Sequence, residues 1–230
     1  MAPTRSALDA ALEPSYFIDS DHPRVIDFAV EAIGGEATEV GKAVALFYAV
    51  RDGIRYDPYR IDLSPEAMRA SAALERGYAF CVPKAVLLAA AARVVKIPSR
   101  LGFADVRNHL TTERLRRLMQ TDIFVFHGYT EFWLEGKWIK ATPAFNATLC
   151  ERFDVEPLAF DGRSDALLQQ SDRTGHRYME YLNDRGHFDD LPLEDLRRAF
   201  EEWYGLPAGS RAGDLEALFE DDAVQEGGAS

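Results

Sequence analysis

Apolar residues recur at helical spacing twice in the first quarter of the chain. Val25, Phe28, Ala29, Ala32 and Ile33 mark one helix that stops at Gly34-Gly35, and Ala43, Leu46, Phe47 and Val50 mark a second ending near Gly53. Asp21 is placed to cap the first of these ahead of Pro23, and His22 beside that proline reads as a turn residue. Residues 54–59 read as a loop or short strand. Ser64-Pro65-Glu66 opens a further helical piece through Leu74, with Ser64 as cap and Pro65 as first helical residue, and Gly77 ends it. From Cys81 an alanine- and leucine-rich run of high helix propensity carries Pro83 in its first turn and is stopped by Lys96-Ile97-Pro98.

After Pro98 the period changes from helical to alternating. Residues 97–106 predict a strand, residues 111–119 a short basic helix, and residues 122–134 a second strand with Ile123, Val125 and His127 on one face and Phe124 and Phe126 on the other. Glu135-Gly136 is a tight hairpin turn, and residues 137–142 are the partner strand, stopped by Pro143. Beyond Asn146 the pattern loosens through Asp161-Gly162, and helical spacing returns over residues 165–182 and 193–204. The expected fold class is α+β, with helices packed on an antiparallel sheet. Its expected divisions are an N-terminal arm (1–20), a main domain (21–205) with a helical extension from about 163, and an acidic tail (206–230).

Composition narrows the function classes. The chain has 230 residues, 47% of them hydrophobic, enough for a sizeable core without staples. Its net charge of −12 argues against nucleic acid and against an anionic membrane surface as partners. No stretch approaches the roughly 18 apolar residues of a membrane span, so the expectation is a cytoplasmic, soluble protein. The two cysteines are far apart and the five histidines scattered, which predicts neither a disulfide framework nor a metal site, and no cofactor.

Cys81 then becomes the residue of interest. Unpaired backbone N–H groups and the positive end of the helix dipole meet at a helix N-terminus, where a thiolate is favoured and an oxyanion can be held. A small buried apolar Cys at a helix start is the commoner use of such a position. A histidine on the first strand of the following hairpin changes that balance, because Cys followed by a strand histidine is an arrangement for thiol catalysis.

Residues 74–81, the helix behind them and Lys96-Ile97-Pro98-Ser99-Arg100 resemble the nucleophile segment of the transglutaminase-like family. His127-Gly128-Tyr129-Thr130-Glu131-Phe132-Trp133 with Gly136-Lys137-Trp138-Ile139 is similar to that family's His-Ala-Trp-x-Glu and Gly-x-Trp segment. The resemblance covers roughly residues 43–146. It implies a papain-like core and acyl transfer on a peptide or other amide substrate through a Cys81 thioester, with His127 as base and no metal. Two departures accompany it. Ala79 and Pro83 flank the cysteine where the family often has Gly and an acidic residue, and Thr142-Pro143 stands where it has Asp-Pro. Thr142, Asn146 or Asp161 are the candidates to orient His127, and loss of the aspartate leaves a catalytically silent binding module as the alternative. Cys150, His22, His109, His176 and His187 are assigned no catalytic part. Glu131 is expected to fix a strand, Trp133 and Trp138 to pack across the hairpin, and the tail with Leu215, Leu218 and Phe219 to fray.

Overall fold

A computed structural model describes residues 3–108, 112–167 and 179–206 together with 219, 221 and 222. Helix α1 (Arg5–Ala10), within the expected N-terminal arm, is capped by Thr4. Helix α2 (Pro23–Ile33) is capped by His22, whose Nδ1 accepts the Arg24 N–H at 3.3 Å, so the cap is the histidine and not Asp21. Helix α3 (Glu39–Gly53) follows, capped by Thr38. The piece expected from Ser64 is a 3-10 turn (Glu66–Met68) and then α4 (Ala70–Arg76), ended by Gly77 in the left-handed region at φ 68°. Short strands β1 (Arg55–Tyr56) and β2 (Tyr78–Ala79) pair in parallel on either side of it.

Helix α5 (Cys81–Val94) is the axis of the molecule, with every residue from Cys81 to Arg93 buried. Its sequence is apolar all round because it has no solvent face; α2, α3 and α4 pack on one side and the main sheet on the other. That sheet runs β5-β4-β3-β6, all neighbours antiparallel, from β3 (Ser99–Asn108), β4 (Ile123–Leu134), β5 (Lys137–Ala141) and β6 (Met179–Phe188). Helix α6 (Glu113–Met119) lies between β3 and β4, α7 (Ala147–Arg152) follows β5, and α8 (Leu193–Tyr204) closes the domain. The α+β class and the antiparallel sheet are as expected.

Two expectations are corrected. The helical pattern over 165–182 gives way to β6 from Met179, because eight of the ten residues of β6 find a ladder partner in β3; residues 168–178, with His176, lie outside the described residues, as does His109. The tail is seated on the domain at the described positions. Phe219 is buried against Tyr56, Tyr59 and Phe153, with centroids 5.3–5.9 Å apart, and Asp222 accepts the Tyr59 hydroxyl at 2.7 Å. Leu215 and Leu218 lie outside the described residues. The N-terminal segment is likewise tied down: buried Arg93 donates to carbonyls of Glu13, Ser99 and Asp189, and the Ser99 N–H reaches the Ala11 carbonyl.

Candidate active site

Cys81 is the first residue of α5, and the preceding Phe80 offers no side-chain cap. The first N–H groups of the helix are therefore unclaimed by a cap, and the nearby N–H groups of Gly128, across from the sheet, of Val82 and of Cys81 itself favour charge on the sulfur. Gly128 allows that approach by having no side chain: a Cβ there would stand 3.1 Å from the Val82 Cα. These donors favour a thiolate, as expected at a helix N-terminus, yet complete burial outweighs them and pushes the thiol pKa up to about 11. The expected lowering of the Cys81 pKa is thus reversed in this closed site, because desolvation exceeds what three neutral donors return.

The strand carrying His127 is not regular. Opposite the single residue Asp105 of β3, β4 places both Val125 and Phe126, and Phe126 takes φ 54°. This is a β-bulge, and it shifts the alternation by one. Phe124 and His127 now pair with Val106 and Ala104 on one face, so Val125 and His127 do not share a face as simple alternation predicts. Gly128 and Thr130 turn toward α5, the Thr130 hydroxyl donating to the Ala85 carbonyl at 2.8 Å. Two side chains hold the bulge. The Tyr204 hydroxyl accepts the Val125 N–H at 2.6 Å and donates to the Ile123 carbonyl at 3.1 Å, while Asp105 accepts the Phe126 N–H at 3.1 Å and binds Arg185. Neither Asp105 nor Tyr204 is singled out by periodicity. The only sequence signal is an aspartate in the middle of an apolar strand.

His127 is 3% exposed, and burial lowers its pKa to about 4, so the ring is neutral. Its Nε2 is buried without a hydrogen-bond partner, as is the Oγ1 of Thr142. Thr142 follows the last ladder pair, Thr130 with Ala141, and so continues β5 opposite Tyr129, on the same face as His127. Of the three candidates to orient the ring, Thr142 thus makes no hydrogen bond through its hydroxyl. A threonine hydroxyl sits directly on Cβ, one bond short of the carboxylate oxygens that an aspartate presents. The other two candidates are engaged elsewhere. Asn146 Oδ1 accepts the Tyr56 N–H at 3.1 Å, and Asp161 is exposed and caps its own turn through the N–H groups of Arg163 and Ser164. Among the described residues no hydrogen bond joins Cys81 to His127; their link is through the backbone, since Gly128, the residue after the histidine, packs against Val82, the residue after the cysteine.

The remaining candidates fall where sequence put them. Cys150 is buried in α7. Trp133 and Trp138 pair across the hairpin with centroids 5.5 Å apart, and Glu131 binds Arg100 and Lys140 across neighbouring strands. Among the described residues no three His, Cys, Asp or Glu side chains gather as metal ligands would, and no helix is long and apolar enough to cross a membrane. One buried charge was not foreseen. Lys84, one turn into α5, donates to the carbonyls of Arg51 and Ile54 at 2.8 and 2.6 Å at the end of α3, and burial lowers its pKa to about 7.

Comparison with known proteins adds the lineage. Two solved structures resemble the chain: one described as a candidate cysteine protease from Cytophaga hutchinsonii (19% identity, TM-score 0.46, 61% of this chain and 43% of that one), the other as a candidate protease from Parabacteroides distasonis (17% identity, TM-score 0.38, 61% and 26%). The chain thus spans less than half of the first protein and about a quarter of the second. No curated protein matches. The sequence profile of the transglutaminase-like superfamily matches residues 26–143. That segment is just over half of the chain and holds the cysteine helix, the bulged histidine strand and its hairpin partner, and so the protein belongs to the transglutaminase-like superfamily.

Proposed function

We propose that the protein is a thiol-dependent acyl-transfer enzyme acting on amides, with Cys81 as nucleophile and His127 as its base. The observation that carries this reading is geometric: Cys81 opens α5 with no side chain capping its N–H groups, and Gly128, directly following the histidine, packs against Val82 at that helix end. Burial raises the thiol to about 11 and lowers the imidazole to about 4, so the resting pair is a neutral thiol and a neutral imidazole. Proton transfer therefore accompanies attack and does not precede it. As the sulfur–carbon bond forms, the thiol proton passes to the imidazole and the carbonyl electrons move to oxygen, where the N–H groups at the helix start hold the oxyanion. Collapse expels the amine, which takes the proton from the imidazolium, and leaves a thioester. Water or a second amine attacks it with the imidazole as base, the carbon–sulfur bond breaks and the thiol is restored.

The test is to incubate the protein with N-acetylated peptide amides in the presence and absence of hydroxylamine. The expected results are hydroxamate formation and a Cys81-linked acyl adduct by mass spectrometry, both lost in Cys81→Ala. Turnover that survives that substitution would remove the nucleophile assignment. The unpartnered Thr142 hydroxyl favours a second reading, a catalytically silent module that binds such peptides, and it predicts binding with neither hydroxamate nor adduct.

A further inference from the structure

We propose that the apolar cavity beside Cys81 is an acyl-group pocket selecting amides with a bulky apolar residue, phenylalanine or leucine, on the acyl side of the bond attacked. This deepens the thiol acyl-transfer reading and rests on it. The cavity measures about 190 Å³, includes Cys81 in its wall and is otherwise lined by Phe80, Leu115, Phe124, Phe200 and similar residues. A cavity of about 150 Å³ with such a lining stays dry and accepts a benzene ring, so this one has room for an aromatic or branched aliphatic side chain.

The wall also offers little to a polar group. The Tyr59 hydroxyl is committed to Thr112 and Asp222, each at 2.7 Å, and the Tyr204 hydroxyl to the Val125 N–H and Ile123 carbonyl of the bulge. Among the described residues no charged side chain lines the cavity. A glutamine or lysine side chain entering it would give up its water for no matching partner, whereas phenylalanine or leucine would remove apolar surface from water. The same two tyrosines fix the walls. Tyr59 is held from outside by Phe219 and Asp222, and Tyr204 is held to β4. The pocket thus has a set shape, and specificity follows from filling it.

The experiment measures kcat/KM of the full chain on N-acetyl-X-amidomethylcoumarins with X as Ala, Gln, Lys, Leu or Phe. Phe and Leu are expected to exceed Ala, Gln and Lys by about ten- to a hundredfold. Leu118→Trp, at a rim position 49% exposed and so compatible with folding, is expected to lower the Phe-to-Ala ratio at least about tenfold. A flat profile, or a preference for Gln or Lys, overturns the pocket while leaving the thiol reading standing. If no amide acylates Cys81, the thiol reading falls and the pocket is judged by binding of N-acetyl-phenylalaninamide and N-acetyl-alaninamide to Cys81→Ser, followed by ligand-observed NMR. Tighter binding of the phenylalanine compound by at least tenfold, lost in Cys81→Ser/Leu118→Trp, upholds the pocket. Equal binding, or none, overturns it.

Discussion

Thr142→Asp examines the state of the histidine directly. In the native protein burial takes the His127 pKa from 6.5 to about 4, a penalty on the imidazolium of about 3 kcal/mol at 1.36 kcal/mol per pH unit. Nothing offsets that penalty, because Nε2 has no partner and the hydroxyl of Thr142, on the same face, has none either. An aspartate extends its oxygens one bond further, and an opposite charge within reach raises such a pKa by about one to three pH units. The consequence for stability has a definite sign. The unfolded chain binds the His127 proton below pH 6.5 and the folded chain only below about 4, so native stability falls as pH drops through that window, by up to about 3 kcal/mol. In Thr142→Asp the window narrows and about 1–3 kcal/mol of that loss disappears. Histidine ring titration by NMR, with urea unfolding at pH 7 and pH 5, reads both effects. A native His127 titrating near 6.5 would refute the burial argument. A folded Thr142→Asp protein in which it still titrates near 4 would show that the carboxylate does not reach the ring.

Alkylation of Cys81 by iodoacetamide should keep accelerating well above pH 9, toward a midpoint of about 11, and native stability should fall as pH rises from about 9 to about 11; a rate plateau by pH 8 would mean a preformed thiolate. Lys84 keeps its proton up to about pH 7 in the fold but to 10.5 when unfolded, so its contribution makes stability rise from pH 7 toward 9. Lys84→Met should remove that slope and, by stranding two carbonyls, cost about 1–3 kcal/mol at pH 9 in urea unfolding. Tyr204→Phe leaves the Val125 N–H and Ile123 carbonyl unpaired and should cost about 1–3 kcal/mol. Faster hydrogen exchange at the Gly128 amide would accompany that loss, whereas unchanged exchange there would mean that the bulge does not depend on the tyrosine.

Most elements, and the place of Cys81 at a helix start, were legible in the chain itself. Apolar spacing located α2, α3 and α8, the Glu135-Gly136 turn located the β4–β5 hairpin, and Pro83 with the alanine run located α5 and placed Cys81 at its start. These are local properties, set by helical and strand periods and by the restrictions on proline and glycine, so a single segment carries them. The state of the site is not local. The Cys81 thiol is raised although its helix position favours a thiolate, because α5 is buried along its length by neighbours distant in sequence. The bulge that redirects β4 just before His127 depends on Asp105 from β3 and Tyr204 from α8. Residues 179–182 follow a helical pattern yet lie in β6, because β3 offers a ladder of hydrogen bonds that outweighs weak helix propensity. Desolvation and long-range pairing both depend on which segments meet, and no stretch of sequence contains that before the chain has packed.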